Sequence, residues 1–191
     1  MSVPLEQQII RTAHHEAGHL VAAAVQELKL RPEGLAVDAR GEGLGCYCKQ
    51  PGDSDERRER VIVATFSGYN SESKLCSDRG FPEPDGMLQI FSCDAREARP
   101  IISQLSYLSV ERTAFAIEEE LQARSKTLVN QQWQAICAIA NELLARGWEP
   151  IRPLPSGGVW SQEPLAKYLD GNEVVILLAQ FGISGEVTNQ C

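Results

Sequence analysis

The stretch TAHHEAGHLVA, residues 12–22, contains the motif H-E-x-x-H inside an apolar part of the sequence. Apolar and small residues recur at helical spacing on both sides of the motif, and this periodicity predicts a helix over residues 7–28. His15 and His19 are four residues apart, so a helix places their imidazoles on the same face, one above the other. Their ring nitrogens can then reach one Zn²⁺ at about 2.0–2.1 Å.

Glu16 lies between the two histidines and is the candidate catalytic residue. On a helix it is close enough to the metal to take a proton from bound water, which is the arrangement of zinc peptidases. The alternative is a chance match in which the histidines are ordinary core or surface residues. All three histidines of the chain, His14, His15 and His19, fall in this stretch. The sequence therefore predicts a zinc site with a general base beside it.

A third protein ligand has to come from another part of the chain. His14 lies about 100° around the helix from His15 and cannot join the same coordination shell, so a carboxylate or thiolate is needed. The candidate ligands are Glu72, Cys76, Asp78, Cys93, Asp94 and Glu97. Asp94 has an alternative role as a favourable charge in the first turn of a helix. Glu72 has an alternative role in orienting a ligating histidine by accepting its second N–H.

The composition is that of a globular protein. Of 191 residues, 43% are hydrophobic and 23% charged, which excludes a disordered or fibrous chain. A net charge of −8 argues against a nucleic-acid partner. The opening residues MSVPLEQQII lack the basic and apolar regions typical of a signal peptide, and no apolar run approaches the roughly 20 residues needed to span a bilayer. We therefore expect an intracellular, cytoplasmic protein, whose cysteines are reduced.

The segments after the first helix predict a short hairpin and a second helix. Residues 34–50 are glycine-rich and alternate in polarity, which is typical of a hairpin. The second helix is expected to begin after an N-cap at Asp53 or Ser54, and residues 77–86 are predicted to form a loop. In the hairpin, Gly43, Leu44, Gly45, Cys46 and Tyr47 form a candidate substrate-binding strand, unless the C-terminal tail covers its edge.

The second half of the sequence is predominantly helical. Ser92 is a candidate N-cap for a helix that Pro100 should kink or end. Residues 110–146 predict two antiparallel helices with a break near Thr127, and Gly147 is a plausible stop. The remaining residues, 148–191, form a proline- and glycine-rich linker, a short helix predicted near 164–170, and an apolar run.

Five stretches resemble the FtsH-type ATP-dependent zinc peptidases. TAHHEAGHLVA looks like the active-site helix of that family, and GLGCYC is similar to its glycine-bounded strand after that helix. RVIVATFSGYNSESKL resembles its helix with a Gly-Gly-Arg-Ala-Ala-Glu-Glu segment, and SCDAREA resembles its Ser-x-Asp segment. TLVNQQWQAICAIANELLARG also looks like its penultimate helix, so the resemblance covers roughly residues 8–147.

The resemblance implies a fold and a ligand set. The expected fold is mainly α (α+β): a helical, zincin-like peptidase domain over residues 1–147, with a small β-hairpin or sheet beside the H-E-x-x-H helix. Residues 148–191 are expected to be an extension packed on the same domain. By the match of SCDAREA, Asp94 is the third zinc ligand.

The sequence also departs from the family pattern. It contains no G-x-x-x-x-G-K-[ST] loop, so we expect that ATP does not power cleavage within this chain. In the Gly-Gly-Arg-Ala-Ala-Glu-Glu segment Gly68 and Glu72 are left, and Ser67, Tyr69, Asn70 and Ser73 replace most of the rest.

Together these features predict a zinc-dependent metalloendopeptidase that hydrolyses unfolded or flexible polypeptides by metal-activated water. The alternative is a catalytically inactive, peptidase-like binding module that keeps the zinc site. Retention of Glu16 favours the enzyme, since a structural zinc has no use for a base. The expected partners are a polypeptide substrate and a separate ATPase or membrane partner. The sequence does not predict the oligomeric state.

Overall fold

A computed structural model of the chain describes residues 3–83, 93–109, 112–154 and 158–190. These residues form helices packed against a small antiparallel sheet of four strands, which confirms the mainly helical α+β class. In chain order, the elements are α1 (Leu5–Val25), β1 (Leu30–Asp38), β2 (Gly43–Tyr47), α2 (Asp55–Arg79), α3 (Cys93–Leu108), α4 (Ala114–Gln131), α5 (Trp133–Ala145), β3 (Glu149–Pro150), β4 (Leu165–Leu169) and α6 (Gly171–Ala179).

Helix α1 is the central element of the fold. Most of its residues from Arg11 to Ala24 are buried, and it contacts α2, α5, β1 and β2. Gly18 brings α1 close to α2, because a Cβ there would lie 2.6 Å from the carbonyl oxygen of Ser67 and 2.7 Å from the Cβ of Ser71. The helix ends at Val25, three residues before the predicted end, where the chain turns through the positive φ of Glu27.

Helix α2 begins at one of the two predicted caps. The Ser54 hydroxyl accepts a hydrogen bond from the Arg57 amide at 3.2 Å, which satisfies one of the free donors of the first turn. The helix continues through Arg79 and ends at Gly80, whose φ of 65° is readily adopted only by glycine. The predicted loop therefore begins later than residue 77, and its residues 84–86 lie outside the described ranges.

The sequence predicts that Pro100 kinks or ends its helix, and the prediction of an end is wrong. Helix α3 runs through Pro100 to Leu108. The helix continues because Ala98, Ile102 and Leu105, on both sides of the proline, are buried in the core. The predicted N-cap, Ser92, lies outside the described residues. The later break falls at Gln132 instead of Thr127, because buried Leu128 and Val129 extend α4 onto the core.

The predicted helix near residues 164–170 is also wrong. This segment contains strand β4, which pairs antiparallel with β1, opposite to β2, in the order β2-β1-β4-β3. Ala166 and Tyr168 alternate with Lys167 along it, and this period of two suits a sheet that is packed on one face. Helix α6 follows, with a capping box formed by Asp170 and Glu173.

The core lies between the sheet and the helices. Its largest fully buried side chains include Leu20, Leu35, Ile62, Leu121, Ile136 and Leu169, which come from both the helices and the sheet. None of the described helices combines the length and the apolar character needed to cross a bilayer. Cys46, Cys76 and Cys137 are free thiols, as expected, whereas Cys48 is disulfide-bonded.

Candidate metal centre

Helices α1 and α2 place the two motif histidines between them. The rings of His15 and His19 are 4.8 Å apart between centroids, one turn apart on α1. The Nδ1–H of His19 donates to the carbonyl oxygen of Ala64 on α2 at 3.0 Å. The Nδ1–H of His15 donates to Oε2 of Glu72, also on α2, at 3.2 Å. With both Nδ1 atoms bonded to α2, the Nε2 atom of each ring is the one left for a metal.

Helix α3 supplies the carboxylate that meets both Nε2 atoms. Oδ2 of Asp94 lies 3.0 Å from Nε2 of His15 and 3.3 Å from Nε2 of His19. Ligand atoms about 2.05 Å from a tetrahedral zinc lie about 3.3 Å from one another, so these separations are close to those of a bound state. His15, His19 and Asp94 therefore form a cluster that could hold a metal ion, with ligand atoms all within 4.8 Å.

Gly68 leaves the space that the two imidazoles occupy. A Cβ at this position would lie 2.7 Å from Nε2 of His15 and would overlap the ring of His19 as well. Any side chain here would displace the rings from Asp94. In the sequence Gly68 stood out only as a match to the family segment, because its proximity to the histidines depends on the register of α1 against α2.

Glu72 orients the imidazole of His15, which is the role that the sequence left open as an alternative to binding the metal. Its Oε2 faces Nδ1 of His15, and its Oε1 accepts hydrogen bonds from Arg11. Within the described part of the chain, the other carboxylate candidates lie outside the cluster: Asp78 pairs with Lys74, and Glu97 with Lys49. Cys76 is a free, buried thiol outside the cluster, whereas the Cys93 side chain is outside the described residues.

The Glu16 carboxylate lies between α1 and β2. A Cβ at Gly45 would lie 2.7 Å from its Oε2, and a Cβ at Gly43 would lie 2.7 Å from its Cγ, so both glycines let the strand approach. No hydrogen bond to this carboxylate is found in the described part of the chain. Burial raises the pKa of Glu16, although the charges of His15 and His19 partly oppose the shift. A carboxylate with a raised pKa is a better proton acceptor.

The outer edge of β2 carries no other strand among the described residues. Asp38 N–H donates to Glu42 O, and Cys48 N–H donates to Lys29 O, so the even-numbered residues face β1. By alternation, the backbone groups of Gly43, Gly45 and Tyr47 point away from β1, towards the free edge. The C-terminal tail bonds β1 instead, with a bridge from Val187 to Leu30.

Other side chains of the predicted site act as supports. The Tyr47 hydroxyl shares a hydrogen bond with the Thr65 hydroxyl at 2.9 Å, and its ring lies 6.2 Å from that of His19. The ring of His14 faces Trp133 at 5.9 Å and not the cluster. Arg11 was not selected from the sequence, and only its position one turn before His15, on the same helical face, could have indicated it.

Two carboxylates flank the His15 imidazole and favour its charged form. Burial alone would lower the pKa of His15, but hydrogen bonds to Asp94 and Glu72 outweigh it and raise the pKa to about 10. The pKa of Asp94 is lowered, since the nearby His19 and His15 outweigh the effect of burial. The pKa of Glu72 is lowered in the same way by His15 and Arg11. A metal would therefore displace a proton from His15.

Without metal, the free energy of unfolding is expected to fall as the pH rises from about 6.5 to about 10. The pKa of His15 is raised from 6.5 to about 10 by folding, so its contribution is complete below 6.5 and lost as the pH passes 10. Denaturant unfolding in the presence of a chelator, at several pH values, measures this change. Asp94→Asn, which weakens the ion pair, should show a shallower fall. An equally steep fall in that variant would contradict the assignment.

The chain matches no protein-family model and no curated protein sequence.

Proposed function

We propose that this protein is a zinc-dependent metalloendopeptidase that hydrolyses unfolded or flexible polypeptides. The observation that carries the proposal is the position of Glu16. It is a buried carboxylate outside the His15, His19 and Asp94 cluster, close enough for the charges of that cluster to affect its pKa. A site that only stores or structures a metal has no use for such a group.

The donor set suits zinc. Two imidazole nitrogens and one carboxylate oxygen are ligands that zinc accepts, and three protein ligands leave a fourth position for water or substrate. Zinc held there would supply Lewis acidity, which lowers the pKa of water and polarises a carbonyl group. Glu16 then accepts the proton of the attacking water and donates it to the leaving amine. Glu72 and the Ala64 carbonyl hold the two imidazoles in place through Nδ1.

The free edge of β2 supports an extended polypeptide as substrate. The backbone groups of Gly43, Gly45 and Tyr47 can bond an added strand, and such bonds do not depend on the substrate's side chains. A substrate segment must be extended to pair in this way, which favours unfolded chains. The proposal therefore includes substrates that reach the site unfolded, delivered where needed by a separate ATPase or membrane partner.

The resemblance to FtsH-type zinc peptidases supports the same proposal. The residues that match the family include His15, His19 and Asp94, which form the cluster. Glu16, Gly68 and Glu72 also match, and they lie around the cluster. Within the described chain, Gly68 and Glu72 are the two matches in the Gly-Gly-Arg-Ala-Ala-Glu-Glu segment, and both contact the histidines.

Removal of metal tests the proposal. We expect about one zinc per chain in the purified protein and hydrolysis of a fluorescently labelled, unfolded protein. A chelator should abolish hydrolysis, and added zinc should restore it, because the attacking water depends on the metal. The same labelled protein in its folded state is the control and should be cleaved far more slowly. Zinc retained with no turnover on unfolded substrates would favour the inactive binding module.

A further inference from the structure

Arg11 is a buried arginine in the same helical row as the two motif histidines. It is 6% exposed and lies one turn before His15 on α1. Its Nε and Nη2 atoms both approach Oε1 of Glu72, at 2.8 Å and 2.7 Å. The guanidinium therefore contacts one oxygen of this carboxylate, and the other oxygen is left for Nδ1 of His15.

This contact restricts how Glu72 can be placed. A carboxylate whose Oε1 is held by two guanidinium donors cannot rotate without breaking a charge-assisted pair. Its Oε2 then accepts a hydrogen bond from the Nδ1–H of His15. An imidazole that keeps its proton on Nδ1 presents Nε2 to Asp94 and to a metal.

The two histidines are held by different means. His19 donates its Nδ1–H to the backbone carbonyl of Ala64, whose position belongs to α2 itself. His15 depends on the side chain of Glu72, which has rotatable bonds and needs a further contact to be immobilised. Arg11 provides that contact. A buried ion pair often adds little to the free energy of unfolding, because removing two charges from water is costly. Positioning of His15 therefore explains the Arg11–Glu72 pair better than stabilisation of the packing between α1 and α2.

We propose that Arg11 is a positioning residue, which acts through Glu72 to hold His15 in the tautomer and orientation that present Nε2 to the metal. The inference rests on the metal site of the proposed function, but it does not depend on peptide hydrolysis.

The test is the zinc affinity of purified variants, measured by competition with a chromogenic chelator. Arg11→Met should weaken zinc binding about 10- to 100-fold, the range for loss of a group that supports a metal ligand. Arg11→Lys keeps the charge but offers one point of contact, so its affinity should lie between those of Arg11→Met and the wild type. If Arg11→Met does not fold, Arg11→Lys serves alone, and a wild-type affinity in that variant would overturn the proposal.

Arg58 provides a matched control. Its side chain is 8% exposed and pairs with Asp55 at 2.8 Å in the first turn of α2. Arg58→Met removes an equally buried arginine whose carboxylate partner contacts no histidine in the described structure. Its thermal midpoint should fall while its zinc affinity stays at the wild-type value. An equal loss of zinc affinity in Arg58→Met and Arg11→Met would overturn the proposal.

A double-mutant cycle separates positioning from a general structural effect. If Arg11 acts through Glu72, adding Arg11→Met to Glu72→Gln should change the affinity less than about 3-fold further, because the coupled contact is already lost. Losses that multiply would overturn the proposal. A wild-type chain that binds no zinc would overturn both this role and the metal site. Normal zinc binding without hydrolysis would overturn the peptidase proposal alone.

Discussion

Replacing Glu16 by glutamine is expected to reduce peptide hydrolysis about 10²- to 10⁴-fold while the zinc content stays at the wild-type level. The amide has nearly the same shape as the carboxylate but cannot accept a proton from water. Because Glu16 is not among the three clustered ligands, its loss should leave the metal in place. Initial rates on the unfolded, labelled substrate and metal content per chain are the two measurements.

The thermal midpoint of Glu16→Gln and a control variant show whether a loss of hydrolysis comes from the missing base or from a less stable protein. Burial raises the pKa of Glu16, so its charged form is disfavoured in the fold and a neutral amide should not lower the thermal midpoint. Glu97→Gln is the matched control, since Glu97 lies three residues beyond Asp94 and pairs with Lys49 at 2.8 Å. Its rate should stay close to the wild-type rate. Hydrolysis that survives Glu16→Gln would rule out Glu16 as the base.

Replacing Asp94 by alanine is expected to weaken zinc binding more than about 100-fold and to abolish hydrolysis. A loss of about 100-fold is the upper limit for residues that only hydrogen-bond to a metal ligand, and Asp94 is expected to bind the metal itself. Its Oδ2 is the atom that lies near Nε2 of both histidines, at 3.0 Å and 3.3 Å. Without it, two imidazoles are the remaining protein ligands of the cluster, and zinc sites of this kind use three. Chelator competition measures the affinity of the purified variant.

Asp78→Ala is the comparison for the Asp94 experiment. Asp78 is an acidic residue on α2 that pairs with Lys74 at 3.2 Å and lies outside the cluster. Its removal should leave zinc affinity unchanged. If Asp94→Ala also binds zinc with unchanged affinity, the third ligand has to be sought at Glu72 or a cysteine.

Several elements of the fold were predictable because their signals are local. Helix α1 follows from apolar periodicity, and the start of α2 follows from the cap at Ser54. The hairpin β1–β2 follows from the alternation of a glycine-rich stretch. In each case, the signal lies within the element itself, as a periodicity, a cap or an alternation, so it can be recognised without knowing the tertiary partners.

The errors have tertiary causes. The sequence predicts a short helix near residues 164–170, but β1 offers residues 165–169 an edge with which to pair. Pro100 does not end α3, which packs through buried Ala98, Ile102 and Leu105 on both sides of it. The break after α4 moves to Gln132 because Leu128 and Val129 are buried. Burial energy from distant partners outweighs local propensity in all three places.

The amino-acid sequence by itself determined that His15 and His19 share a face of α1, because a spacing of four residues does so in any helix. Only the tertiary structure decided which carboxylate meets which nitrogen: Asp94 lies at Nε2, whereas Glu72 lies at Nδ1 of His15, with Arg11 behind it. The reason is physical. These contacts depend on the register and separation of three packed helices, which are set by side chains far apart in the chain and leave no local pattern.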